Sequence, residues 1–459
     1  MEHFYQDKKF EENWFDYASL YKNVIANAKN KSRFVEVGSW KGKSVAFMCV
    51  EIANSNKEID FYCVDTWEGS IEHTEEQKGD NLYKTFLENT KPVEEYYIPI
   101  KLSSLGASKK FKDNTLDFVF IDASHEYKDV KNDILAWLPK VKNGGILAGH
   151  DYTYFPEVKK AVDETLGESN IIKQESCFVY YKNKLTDFPK INCISIRESE
   201  DRRNNLAKQL KEHNFSQEKL NFYIFDRYKP GDSIFIGSKI DSLSEGGRGP
   251  LSSHLKAIKY WLENTDEDEA FFCEDDLGLE TVKYWNFNWD QFYEKIPKDF
   301  GIVQLVMVRE SPYFLAFGNQ FRNRCFCDWS AAGYLIKRKF AEKIISNYYP
   351  NEIFTLEYCG SDKKARNAGF LIPTIETILF TDFGKEKEGV YCFPLFCEDI
   401  LNCKTTNKID FKENVNNSPP NTYSYLETIK LWKNQLPIIN QLDYIFDYVK
   451  QIKPNNNLQ

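Results

Sequence analysis

Short apolar runs rich in β-branched and aromatic residues alternate with amphipathic stretches along the first 180 or so residues. The pattern predicts strands at Arg33–Val37, Ile59–Val64, Tyr97–Leu102, Leu116–Ile121, Gly145–Gly149 and Cys177–Tyr181. Between them it predicts helices near Lys43–Ala53, Glu75–Glu88, Lys128–Leu138 and Glu157–Leu166. Alternation at this spacing argues for a parallel sheet covered on both faces. The last pair, near Ile171 and at Cys177–Tyr181, has no helix between its members and reads as an antiparallel edge.

The polar, proline-closed stretch Lys182–Lys190 interrupts this rhythm, so a first domain is expected over 1–186. The rhythm resumes in a second domain, 187–414. Strands are expected there at Ile191–Ile196, Asn221–Phe225, Ala270–Cys273, Gly301–Val308 and Gly333–Ile336. Helices are expected at Arg202–His213, Ser253–Asn264 and Lys339–Asn347. VNNSPPNT, Val415–Thr422, reads as a linker, and Tyr425–Ile452 as one or two amphipathic helices, so 415–459 is a linker and helical tail.

Composition narrows the function classes. Hydrophobic residues are 42% and charged residues 28%, which excludes a disordered chain. The net charge is −9, with 25 basic and 31 acidic residues up to position 188 and 35 and 38 beyond it. Neither half is basic, so nucleic acid is excluded as a partner. Cys49, Cys63, Cys193 and Cys273 lie inside apolar runs, as buried thiols of a reducing compartment do. MEHFYQDKKFEENWF has no apolar leader, and no run of 18 apolar residues appears. The expectation is a cytoplasmic protein without a transmembrane segment.

Two constellations carry chemistry. In FVEVGSWKGKS a strand runs through Gly38 and Gly42 into a helix, which lets backbone approach a ligand at a helix N-terminus. Glu36 ends that strand and Asp65 ends the next, where a carboxylate can hold both hydroxyls of a ribose. The segments EVGSWKGKS, FYCVDTWEG and LDFVFIDASHEYKDVKNDILAWLPKVKNGGILAGHDY resemble class I S-adenosylmethionine-dependent methyltransferases. The nearest branch holds macrocin-type sugar O-methyltransferases and cephalosporin-hydroxylase-like proteins, and the resemblance covers roughly 10–182. It implies a Rossmann-like sheet that binds S-adenosylmethionine. Glu36, Gly38, Gly42 and Ser44 would sit about the methionine part and Asp65 on the ribose, with Asp122 at the edge of the cofactor; Trp67 would pack on the adenine or serve as a core or lid aromatic. It also implies a divalent cation at Asp122, His150 and Asp151. His150 stands where an acid is usual, which tilts the set from Mg²⁺ towards Mn²⁺ or Zn²⁺. His125, in DASHEY, is the candidate base for an acceptor hydroxyl, with helix capping as its alternative role.

In AFFCEDDLGLE, Glu274, Asp275 and Asp276 follow an apolar strand. Adjacent carboxylates repel unless a cation or a basic group neutralises them. Mn²⁺ or Mg²⁺ bridging a diphosphate would do so. With CISIRESEDRRNNLAKQL, RGPLSSHLKAIKYWL and WSAAGYLIKRKFAEKII, this motif resembles glycosyltransferase family 25, the lipooligosaccharide and collagen galactosyltransferases. Four motifs occur in order over about 190–380. Pro250, Ser195 and Ser199 depart from the usual cysteine, asparagine and arginine. The resemblance implies a GT-A-like α/β fold and transfer of galactose or glucose from a UDP-sugar with inversion. Arg202 would face the diphosphate, and Ser253 and His254 would lie near the acidic motif. Inversion requires a base beside the acceptor hydroxyl, for which Asp362 is the candidate and Glu357 the second.

Together these predict a bifunctional glycan-modifying enzyme. An O-methyltransferase is joined to a metal-dependent hexosyltransferase, both acting on a glycan or lipid-linked sugar. A scaffold with one or both sites inactive is the alternative suggested by His150 and Pro250. A metal-dependent hydroxylase-like first domain is another.

Overall fold

The computed structural model describes residues 1–10, 14–69, 81–237, 243–285, 287–306, 322–323, 330–356, 374–380 and 389–399. The expected linker and tail, Glu357 and Asp362 lie outside the described residues. The chain folds as two units, the first of Met1–Thr186 with the short segment Asn286–Gln291 and the second of the remaining described residues.

The first unit holds seven strands: β1 (Ser32–Val37), β2 (Ile59–Asp65), β3 (Ile98–Lys101), β4 (Leu116–Ile121), β5 (Val141–Gly149), β6 (Ile172–Gln174) and β7 (Cys177–Tyr181). Their order is β3-β2-β1-β4-β5-β7-β6. Every pairing is parallel except those of β7, which runs antiparallel to both β5 and β6. The expected edge pair therefore does more than close the sheet, because β7 is threaded between β5 and β6.

Side chains alternate across each strand, and both faces are apolar. Phe34, Phe118, Phe120 and Ala148 join one core with α1 (Ala18–Asn27), α2 (Lys43–Ser55) and α3 (Leu82–Thr90). Val35, Val37, Val119, Ile121 and Leu147 join the other with α4 (Tyr127–Trp137) and α5 (Pro156–Val162). The strand order reverses between β1 and β4, which leaves a crevice at their carboxyl ends. Gly38 follows β1 at φ +95, and a Cβ there would lie 1.6 Å from the Asp122 carbonyl oxygen. Only glycine lets the chain leave β1 so close to the end of β4.

The second unit is a mixed α/β assembly. Its strands are β8 (Ile191–Ile196), β9 (Leu220–Phe225), β10 (Phe235–Ile236), β11 (Glu269–Glu274), β12 (Leu277–Gly278), β13 (Ile302–Val306), β14 (Arg322–Asn323), β15 (Gly333–Lys337), β16 (Phe354–Thr355) and β17 (Val390–Glu398). The main sheet runs β12-β17-β13-β15-β11-β8-β9, with β14 on β17 and a separate β10–β16 pair. β8 lies parallel to β9 and β11, while β15 lies antiparallel to β11 and β13. Helices α6 (Glu200–Glu212), α7 (Glu245–Asn264) and α8 (Arg338–Tyr348) belong to this unit.

Several elements differ from expectation, among them α1 and the short strands β10, β12, β14 and β16, which were not expected. Helix α7 begins eight residues before the expected Ser253, and it holds Pro250 inside. The Ser244 hydroxyl caps it by accepting from the Gly247 amide, and buried Leu251, Leu255, Ile258 and Trp261 form its inward stripe. Capping and burial override the low helix propensity of EGGRGP. Strand β17, which carries Pro394, is not among the expected strands. Its register against β13 shifts between Gln304 and Val306, the kind of irregularity in which a strand tolerates proline.

Candidate functional site

A cavity of about 800 Å³ opens at the carboxyl ends of β1, β2, β4 and β5. Gly38, Asp65, Asp122, His125, His150 and Asp151 all line it. Asp65 accepts from the Trp40 amide at 2.8 Å and from the Trp67 amide at 2.7 Å. A carboxylate has about four lone-pair positions, so two backbone bonds fix its orientation and leave capacity for hydroxyl donors.

Four residues expected at the cofactor are not among those lining the cavity: Glu36, Gly42, Ser44 and Trp67. Glu36 shares the face of Phe34, beneath α1 and α2. It is buried and accepts from the Tyr21 hydroxyl at 2.6 Å and the Ser44 hydroxyl at 3.0 Å. Burial pushes its carboxyl up to about 7, against the pull of those hydrogen bonds. Gly42 precedes α2 at φ +88, where a Cβ would come within 2.5 Å of the Thr90 side chain. Its role is backbone conformation and packing. The buried Trp67 ring packs on Tyr83 and Phe86 and donates to the Trp40 carbonyl, which makes it a core aromatic rather than an adenine platform. Trp40, Trp67 and Asp151 all have left-handed backbone, at φ 46, 51 and 63. Such conformations cost non-glycine residues roughly 1–2 kcal/mol and persist only where the surroundings over-determine them.

The two histidines sit in different surroundings. His125 Nε2 lies 2.8 Å from Asp151 Oδ2, and its ring stacks on Phe155 at 4.1 Å. His150 is buried, with Nε2 3.0 Å from Asp16 and Nδ1 3.3 Å from Asp151 and 3.5 Å from Asp122. Burial opposes charging of His150. Hydrogen bonds to Asp122 and Asp151, with their charges, outweigh burial and push its pKa up to about 11. Burial likewise works to raise the Asp151 carboxyl, but the two histidines hold it well below the usual carboxylate range. Both ring nitrogens of His150 thus face carboxylates. The expected metal set of Asp122, His150 and Asp151 is not the one whose donors converge. The donors that converge within 4.8 Å of one another are Asp122, His125 and Asp151.

Sequence reasoning missed the residues ahead of β1. Trp14 and Asp16 line the cavity, and the Tyr17 hydroxyl donates to Asp122 at 2.9 Å. The cluster Trp-Phe-Asp-Tyr at 14–17 was the available signal. It is aromatic, carries an acid, and stands just before the first helix.

In the second unit a cavity of about 410 Å³ is lined by Ser195, Arg202, Ser253, His254, Glu274 and Asp275, among others. Arg202 pairs with Asp275 and, at 2.7 Å, with Asp276. Ser195 donates to Asp275 at 2.6 Å and accepts from Arg203 at 2.8 Å. His254 is buried, 3.0 Å from the Tyr334 hydroxyl and 3.0 Å from Glu274. The sequence brings these residues together, but not as an open cation site. Among the described residues, Glu274, Asp275 and Asp276 do not converge as a set of metal donors. Arg202, expected on a diphosphate, neutralises two of them, and His254 engages the third. Burial, with the charges of Glu274 and Glu398, still drives the Asp276 carboxyl well above its ordinary range. Burial also raises Asp275 against the pull of Arg202. It works to raise Glu274 too, but the hydrogen bond from His254 lowers it on balance.

Residues 35–152, which carry β1 to β5 and most of the first cavity, match a family model described as "Methyltransferase domain". The first unit has a Rossmann-like α/β fold, and that model matches within it. A curated relative, the uncharacterized protein y4gI of Sinorhizobium fredii (strain NBRC 101917 / NGR234), is 26% identical over 127 residues. That region is 28% of this chain and 14% of the relative, so only a small part of the relative's length is matched. Similar solved structures include the O-methyltransferase NovP, at 17% identity and TM-score 0.29, covering 36% of this chain and 78% of that one. The calicheamicin methyltransferase CalS11 is similar at 12% identity and TM-score 0.29, covering 36% and 76%. Among the described residues no helix is long and apolar enough to cross a membrane. Cys49, Cys63, Cys193 and Cys273 are free and buried.

Proposed function

We propose that the first unit is an S-adenosylmethionine-dependent O-methyltransferase acting on a sugar hydroxyl. The observation that carries this reading is the convergence of Gly38, Asp65, Asp122, His125 and Asp151 on one cavity at the sheet's switch point, inside the methyltransferase-domain match. When bound, S-adenosylmethionine supplies an electrophilic methyl group on a cationic sulfonium. Asp65, fixed by two backbone amides, accepts from ribose hydroxyls. His125 takes the proton of the acceptor hydroxyl as that oxygen takes the methyl group, and Asp151 orients the ring and stabilises its charged form. His150 holds Asp151 ionised and stands beside Asp122. His125→Ala lowers kcat by ~10²–10⁴, the scale for a positioned acid or base, and leaves cofactor affinity unchanged. Full activity of that variant contradicts the assignment.

The three donors within 4.8 Å support a second reading of the same cluster. Asp122, His125 and Asp151 would then hold a divalent cation, which would acidify and orient the hydroxyl. EDTA separates the two: turnover survives it if His125 is the base and is lost if a cation is needed.

For the second unit we propose hexosyl transfer from a UDP-sugar to the same glycan or lipid-linked acceptor. Support comes from the four ordered motifs and from the strand-end acids facing a cavity with Ser253, His254 and Arg202. Glu274, Asp275, Asp276 and Glu398 crowd together there, offset in part by Arg202, Arg203 and His254. Mn²⁺ or Mg²⁺ with a diphosphate would relieve that excess. Asp276→Asn costs at least ~10²-fold in UDP-hexose turnover, the scale for one electrostatic stabiliser. Metal-independent turnover contradicts the reading. Asp362 is proposed as the base. The pairing of Arg202 with Asp275 and Asp276 favours a second reading, a non-catalytic scaffold, and failure of every nucleotide sugar to bind would support it.

A further inference from the structure

The first cavity is anionic and aromatic rather than basic. Among the described residues that line it, none is lysine or arginine. Asp16, Asp65, Asp122 and Asp151 bring four carboxylates, balanced only by the imidazoles of His125 and His150. At the mouth three aromatic side chains stand open to solvent: Trp14 is 51% exposed, Tyr154 62% and Phe155 40%. Large exposed rings gathered around one cavity mark a binding surface. Phe155 is held by its stack on His125, and Trp14 lies 6.3 Å from Trp40. Asp16 stands beside them, braced by bonds from Ser176 at 2.6 Å and Tyr154 at 3.1 Å and by His150 at 3.0 Å.

Resting on the methyltransferase reading, we propose that the acceptor half of this cavity takes a neutral sugar ring and rejects phosphate-bearing sugars. The ring lies with its C–H face on the collar of Trp14, Tyr154 and Phe155, and its hydroxyls donate to Asp16. An aromatic face buries the apolar side of a pyranose, and a carboxylate only accepts, so it pairs with hydroxyls. The same carboxylates suit a cationic sulfonium and repel a phosphate. Asp16 is thus a positioning residue that also sets specificity by charge. A reaction order follows. The methylated sugar has already left its nucleotide, so a glycosyl transfer must supply the substrate, and any diphosphate anchor lies outside the cavity.

The test uses the full chain. Calorimetry first establishes binding of S-adenosylmethionine. Methyl transfer is then measured to methyl hexopyranosides and neutral oligosaccharides, and in parallel to hexose 1-phosphates and UDP-hexoses. Neutral acceptors are expected to exceed the phosphorylated ones by at least ~10-fold in kcat/KM, the effect of like charge in the site. Trp14→Ala is expected to raise acceptor KM about fivefold or more, with kcat and cofactor affinity unchanged, as for loss of uniform binding. Asp16→Asn is expected to narrow the gap between neutral and phosphorylated acceptors. The proposal is overturned if phosphorylated sugars match neutral ones, if Trp14→Ala leaves acceptor KM unchanged, or if the cofactor binds and no sugar is methylated. Failure of the cofactor to bind overturns the methyltransferase reading itself.

Discussion

Glu36 lies one strand position from the cavity yet serves a different purpose. Its carboxyl, buried against Tyr21 and Ser44, ionises near 7 instead of about 4.5. Between those values the folded chain keeps a proton that the unfolded chain has released. Stability therefore falls as pH rises through that window, by roughly 3 kcal/mol in all. Glu36→Gln removes this dependence. Urea unfolding at pH 5 and pH 8 is expected to show the variant gaining on the wild type at the higher pH. A gap that does not change with pH contradicts the assignment. Asp65 and Gly38 were legible in the sequence because each terminates a strand in a recognisable spacing. The environments of Glu36, Ser44 and Trp67 were not. Which face of β1 is covered, and by which tyrosine, depends on α1, and α1 precedes every motif that could be read. His125 and His150 were both legible as site residues, but their roles depend on which carboxylates surround each ring.

At the scale of elements, the turn after β1 is set by sterics rather than by ligand chemistry. A Cβ on Gly38 would fall 1.6 Å from the Asp122 carbonyl, whereas one on Gly231, also at positive φ, meets nothing within 4 Å. Gly231→Ala is expected to cost about 1 kcal/mol, the price of left-handed backbone alone. Gly38→Ala is expected to cost more than ~4 kcal/mol, because β1 and β4 must separate. Thermal unfolding compares the two, and equal losses contradict the crossing geometry. Alternation of apolar runs and helices made β1, β2, β4, β5 and β7 readable, since strands buried on both faces look apolar throughout. The start of α7 and the whole of β17 were hidden by glycine and proline. There a capping serine, a buried stripe and a register shift decide the outcome, and none of these is visible in local propensity.

At the scale of the whole molecule, the two units hold separate sheets and separate cavities. The substitutions proposed above are expected to act independently, as changes without shared partners do. Asp276→Asn should leave methyl transfer at its wild-type rate, and His125→Ala should leave nucleotide-sugar hydrolysis at its own. A double variant that loses either activity by more than the matching single variant contradicts that independence. The central claim is that the first cavity binds S-adenosylmethionine through Asp65. Its most direct test is a calorimetric titration of the cofactor into the wild-type chain and the Asp65→Ala variant. The expected result is one site per chain in the wild type, weakened by ~1–3 kcal/mol in the variant, the cost of losing hydrogen bonds to a charged group. No binding by the wild type, or equal affinity in the two proteins, contradicts it.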